Sequence, residues 1–77
     1  MKKVALTIYG KVQGVGFRYS AHEEAHRLGM KAAPRNEDDG SVFIEAEGDE
    51  AAIQKFIEWC RKGPKDAKVE RVEIEEG

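Results

Sequence analysis

The sequence predicts an α+β sandwich, with two helices packed on one face of a mostly antiparallel four-stranded sheet. Three observations carry this expectation. Apolar residues recur at every second position in separate short runs, which is the period of a half-buried strand. Between those runs, two stretches place apolar residues at helical spacing. Glycine, proline or Asp-Gly marks the junctions where one period gives way to the other.

The first strand is read from Val4, Leu6 and Ile8, which alternate with Ala5, Thr7 and Tyr9. A glycine turn follows it. From about Phe17 to Leu28, Ala21, Ala25 and Leu28 fall on one helical face, and Gly29 stops the helix. Residues 30–36 are weak strand material. Glu37-Asp38-Asp39-Gly40 forms the hairpin turn, with Asp39-Gly40 as its signal. Val42, Ile44 and Ala46 alternate in a third strand. Asp49 suits an N-cap, and Ala52, Ile53, Phe56, Ile57 and Cys60 form the apolar stripe of a second helix. Arg61 and Lys62 suit its last turn, which Gly63-Pro64 closes. Val72 and Ile74 mark a last strand, with Val69 one step out of register. The order is βαββαβ. Right-handed crossovers place the first and third strands side by side in the centre and the second and fourth at the edges. This is the ferredoxin-like arrangement, which hosts many unrelated functions.

The bulk properties narrow the function classes. With 77 residues the chain is expected to be one domain, residues 1–77, with a modest core and a shallow site built on loops. A net charge of −2 argues against the basic face that nucleic-acid binding needs. The lone Cys60 cannot form an internal disulfide, and Met1-Lys2-Lys3-Val4 runs straight into a strand without a signal-peptide core or a spanning segment. A cytoplasmic protein with no membrane association is expected.

Gly10-Lys11-Val12-Gln13-Gly14-Val15-Gly16-Phe17-Arg18 is the stretch that carries chemistry. A strand, a glycine-rich turn and a helix in succession offer backbone N–H groups to a phosphate. Gly14 and Gly16 suit a turn that needs positive φ. Arg18 opens the helix, where the macrodipole is already positive. A shared anion is the simplest reason to keep it there, and its planar fork fits phosphate oxygens. Asn36 closes the second strand. As a turn-entry residue it needs no further role, yet an amide there can also bond a water as donor and acceptor.

Other motifs are set aside. No Gly-Lys-Ser/Thr follows the loop, so it is not a P-loop, and the third glycine of a dinucleotide fingerprint is missing. His22-Glu23-Glu24-Ala25-His26 matches H-E-x-x-H literally. The packing face Ala21, Ala25 and Leu28 turns both histidines toward the polar side, no third histidine exists, and the chain is too short for a protease cleft, so no zinc site is expected. Phe43, on a strand that also carries Glu45 and Glu47, is expected to pack rather than to receive a nucleic-acid base. Trp59 is expected at the boundary of the second helix, Cys60 inert on its buried stripe, and the acidic tail as a solvated strand end.

The sequence resembles the acylphosphatase family. The likeness rests on Gly10-Lys11-Val12-Gln13-Gly14-Val15-Gly16-Phe17-Arg18, on Leu28-Gly29, on Asn36 with Asp39-Gly40, and on Gly63-Pro64 before the last strand. It implies a hydrolase of small-molecule acyl phosphates, releasing inorganic phosphate, without metal or other cofactor. It further implies that residues Gln13, Gly14, Val15, Gly16, Phe17 and Arg18 bind the phosphate, that Arg18 grips its oxygens, and that Asn36 orients the attacking water. A non-catalytic anion-binding or interaction module of the same fold is the alternative. The chain departs from the family at Ala32-Ala33-Pro34, where a Gly-aromatic-Val-like strand is usual, and it reaches Gly77 before the family's short fifth strand. Pro34 is therefore expected to fray or interrupt an edge strand over 31–36 and to guard it against pairing, which favours a monomer.

Overall fold

The computed structural model describes residues 1–76. The element order is β1 (Lys2–Lys11), α1 (Phe17–Arg27), β2 (Lys31–Asn36), β3 (Val42–Gly48), α2 (Glu50–Lys62) and β4 (Lys68–Glu76). The strands form one sheet in the order β2-β3-β1-β4, with every pairing antiparallel. The expected βαββαβ sandwich, with β1 and β3 central, is thus the observed one.

Alternation decides which side of each strand is covered. Val4, Leu6 and Ile8 of β1 lie opposite Ala46, Ile44 and Val42 of β3, and all six are buried on the helix-bearing face. Phe17, Ala21 and Ala25 of α1 and the Ala52, Ile53, Phe56, Ile57 and Cys60 stripe of α2 cover them. Trp59 sits half-buried at the edge of this core, its ring 5.4 Å from that of Phe17. Desolvation of buried Cys60 pushes its thiol pKa upward, and the Glu24 carboxylate adds to the shift.

The offset of Val69 has a local cause. Tyr9 pairs with Arg71, but Gly10 pairs with Val69, so Glu70 is an extra residue in a β-bulge. Gly10 has φ 128°, and a Cβ there would lie 2.2 Å from the Lys68 carbonyl oxygen, so only glycine fits. The bulge returns Val69 to the core side.

β2 corrects one expectation. It runs without interruption from Lys31 to Asn36, with Pro34 paired to Ile44. The ladder explains why. The Glu37 N–H donates to the Ser41 carbonyl at 2.9 Å, which makes that pair a hydrogen-bonded one. Counting back by alternation, Arg35–Phe43 is hydrogen-bonded and Pro34–Ile44 is not. The nitrogen of Pro34 therefore points to the outer edge, where the ladder needs no donor, and proline costs the strand nothing. The edge position itself is as expected, since β2 pairs only with β3 among the described residues.

Phe43 also differs from a core residue. It lies half-buried on the open face of the sheet, with the Arg35 guanidinium 4.7 Å from its ring centre. Tyr9, on the same face of β1, carries Arg71 at 4.0 Å. Both aromatics pack beneath arginines that also reach carboxylates, Glu37 and Glu73 respectively.

Candidate active site

Topology brings three predicted pieces to one end of the molecule. β1 and β2 are both antiparallel to β3, so they run in the same direction. The loop leaving β1, the first turn of α1 and the last residue of β2 therefore share one end of the sandwich.

The loop, residues 12–16, is anchored below and open above. Val12 is 1% exposed and Phe17 is 1% exposed, so both ends are sunk in the core. Between them Gly14 and Gly16 take φ 75° and 77°, the left-handed region that strains any residue with a Cβ. Nothing lies within 4 Å of where a Cβ would stand at either glycine. The glycines are thus required by the backbone angle, and the space above them is free.

The two helix starts differ in a telling way. α2 is capped by Asp49, whose Oδ1 accepts from the Ala52 N–H at 2.8 Å, and Glu50 follows in its first turn. α1 has Gly16 at its N-cap, no side-chain cap bond and no acidic residue in its first turn. Its first helical bond runs from the Ser20 N–H to the Gly16 carbonyl, which leaves the N–H groups of Phe17, Arg18 and Tyr19 without an acceptor inside the helix. The only charged side chain in that turn is exposed Arg18, which makes no ion pair or side-chain hydrogen bond among the described residues. A helix end that is uncapped, lacks carboxylate and carries a free guanidinium can receive an anion.

Arg18 also faces the right way. The α1 face formed by Phe17, Ala21 and Ala25 points to the core, and Tyr19 and Glu23 line the groove toward α2. Arg18 stands one turn before His22, which lines the depression between α1 and β2. Arg18 is thereby on the β2 flank of the helix. Asn36, the exposed last residue of β2, pairs with buried Val42 and so lies on the helix-bearing side.

The side chain of one loop residue, for which the sequence implied only a place in the phosphate loop, ties these parts together. The half-buried amide of Gln13 donates through Nε2 to the carbonyl oxygens of Glu37 (2.8 Å) and Ser41 (2.9 Å). Both acceptors belong to the turn that follows Asn36, so Gln13 fixes the glycine loop against the β2–β3 hairpin. The hairpin is braced in turn by Asp39, whose Oδ1 accepts from the Ser41 N–H (2.9 Å) and hydroxyl (2.6 Å). Those bonds hold the Asp39 carboxyl below its ordinary pKa, the hydroxyl bond contributing most. A shallow depression on the open sheet face reaches Asn36 past Thr7, Tyr9 and Phe43, and includes none of residues 13–18.

His22 and His26 are both exposed on α1. Among the described residues no group of three His, Cys, Asp or Glu side chains is placed to hold a metal. Among the described residues no helix is long and apolar enough to cross a membrane.

Comparison with known proteins agrees with the resemblance carried by the loop. The family model Acylphosphatase matches residues 4–77. An acylphosphatase of Nocardioides sp. is 49% identical over 74 residues, covering 96% of this chain and 75% of its own. One of Thermotoga petrophila is 50% identical over 76 residues, covering 99% and 84%. The crystal structure of acylphosphatase from Bacillus subtilis superposes with a TM-score of 0.96 at 39% identity, covering 100% of this chain and 86% of that one. The reading as a non-catalytic module is not favoured by relatives so similar over nearly the whole chain. With a family model that matches residues 4–77, relatives about half identical over nearly the whole chain and a crystal structure that superposes at a TM-score of 0.96, the chain belongs to the acylphosphatase family.

Proposed function

We propose that this chain hydrolyses small-molecule acyl phosphates to a carboxylate and inorganic phosphate, at the end of the sandwich that carries both residues 13–18 and Asn36. The uncapped, carboxylate-free start of α1 carrying a free Arg18 is the observation that carries this reading. Backbone N–H groups of Gln13, Gly14, Val15, Gly16, Phe17 and Arg18 receive the phosphoryl oxygens, with the exposed Arg18 as the forked counter-charge.

A water oxygen attacks phosphorus in line with the acyl oxygen. The new P–O bond forms as the bond from phosphorus to the acyl oxygen breaks, and the electron pair leaves on the carboxylate. The water proton passes to the phosphate product and solvent. A carboxylate is a good leaving group, so no general acid is required at its side. Catalysis then consists of positioning and of stabilising the charge on the equatorial oxygens. Asn36 can accept from the attacking water through Oδ1 and donate through Nδ2, which fixes its line of approach. Arg18 and Asn36 are the catalytic residues of this scheme.

A single buried thiol, with no partner for an internal disulfide, supports a cytoplasmic setting. An outer edge on which Pro34 offers no N–H supports a monomer. Steady-state hydrolysis of benzoyl phosphate tests the proposal directly, and turnover should survive prolonged EDTA treatment. No hydrolysis by folded protein would overturn it.

A further inference from the structure

The strand register places a like-charged pair beside the glycine loop. Lys11, the last residue of β1, stands directly opposite Lys68, the first residue of β4. Both are exposed, and neither makes an ion pair among the described residues. Glu70, whose side chain lies over Gly10, pairs with neither. Like charges directly opposite one another weaken an antiparallel rung. Stability gives no reason for the pair, but its place does. Lys11 leads through buried Val12 into the loop at Gln13. The rung also lies diagonally across the loop from Asn36. In the order β2-β3-β1-β4, Asn36 ends one edge strand and Lys68 begins the other. Asn36 is on the helix-bearing side, whereas Lys11, which alternates with buried Val12, is on the open side with its partner. Asn36 is level with Val42 and hence with Ile8, so the rung stands about 10 Å further out along β1, from Ile8 to Lys11.

We propose that Lys11 and Lys68 are the acyl-side residues of the site: they receive the carboxylate as it leaves phosphorus, and they select acyl groups by charge. The proposal rests on the hydrolytic reading above. In-line displacement sets the entering water and the leaving oxygen on opposite sides of phosphorus. With Asn36 holding the water on one side of the loop, the acyl group departs toward the rung. The charges agree with that direction. Glu37, Asp38 and Asp39 follow Asn36; they tolerate a neutral water but repel a departing carboxylate. The two ammonium groups attract it. The electron pair of the broken bond to phosphorus stays on the acyl oxygen, and both lysines keep their protons, so the step balances as simple hydrolysis. An acyl group that carries a second carboxylate gains more from the rung than a neutral one.

The test compares hydrolysis of benzoyl phosphate and of its para-carboxylated analogue by the full chain. The ratio of the two kcat/KM values cancels whatever the substrates share at the phosphoryl end. Lys11→Gln and Lys68→Gln should each lower the ratio of carboxylated to plain substrate about 2- to 5-fold, the scale of one exposed ion pair. The Lys11→Arg/Lys68→Arg double variant should keep the wild-type ratio. Lys31→Gln removes the same charge at the other end of the sheet and should leave the ratio unchanged. The glutamine variants should melt no lower than wild type, since each relieves the like-charged rung. An unchanged ratio in Lys11→Gln/Lys68→Gln, with both substrates turned over, would overturn the assignment and leave the hydrolytic reading standing. A ratio that falls as far in Lys31→Gln would overturn it too, by showing an effect of net charge instead of a local contact. No turnover of either substrate by folded wild-type protein would remove both.

Discussion

Gln13→Ala is the perturbation that best tests how this site is held together. The two bonds from Nε2, at 2.8 and 2.9 Å, are the side-chain links between the glycine loop and the β2–β3 turn. Neither acceptor is orphaned when they are lost. The Glu37 carbonyl still receives the Gly40 N–H at 3.1 Å, and the Ser41 carbonyl still receives that of Glu37 at 2.9 Å. The loss is thus two net hydrogen bonds without a desolvation penalty, about 1–2 kcal/mol in all. For a domain of this size each kcal/mol lowers Tm by roughly 4–8 °C. Activity should suffer beyond stability, because the loop and Asn36 would no longer share a fixed reference. A misplacement on the order of 1 Å can cost ~10²-fold in rate. Gln13→Glu sharpens the test. It keeps the length but turns a donor into an acceptor facing two carbonyls, so it should be at least as harmful as alanine at neutral pH. It should recover partly at acid pH, where the protonated carboxyl donates again. Thermal melts and benzoyl phosphate kinetics, read together from pH 4 to pH 8, decide the matter. Wild-type Tm and kcat in Gln13→Ala would refute the reasoning, and so would a harmless glutamate.

Substitutions at three further positions probe other links. Arg18→Ala should lose at least about 10²-fold in kcat/KM with Tm unchanged, since the side chain is exposed and carries the counter-charge, and Arg18→Lys should rescue poorly for want of the fork; near-normal rates would remove Arg18 from the mechanism. Asn36→Ala should lower kcat more than affinity for inorganic phosphate measured by competitive inhibition; equal loss of both would assign Asn36 to local structure instead. Pro34→Val should leave stability within about 0.5 kcal/mol, because the new N–H points outward and gains no ladder bond. It should increase self-association in sedimentation, since the free edge then offers one more donor; a clear rise in Tm in the monomer would show that the nitrogen faces β3.

The sequence by itself determined the element order, the sheet topology and the location of the glycine loop. Those features rest on local physics. Alternation at Val4, Leu6 and Ile8 reports burial of one strand face. The positive φ of Gly14 and Gly16 reports a turn that a Cβ would strain. An arginine beside a positive helix end reports a charge set against the helix dipole. Each can be read within a few residues of the chain. Tertiary structure decided what depends on partners far away in sequence. Pro34 is harmless because pairing parity turns its nitrogen outward, and that parity is set by the Glu37–Ser41 pair across the hairpin. Phe43 lies on the open face because its cross-strand neighbour is Thr7, not a core residue. The bulge at Glu70 exists because Gly10 lets two backbones approach more closely than a side chain would allow. Gln13 reads as one more loop residue until folding sets its amide between two carbonyls 24 and 28 positions away. A hydrogen bond of that span leaves no periodicity in the sequence, since only the closed chain brings its ends together.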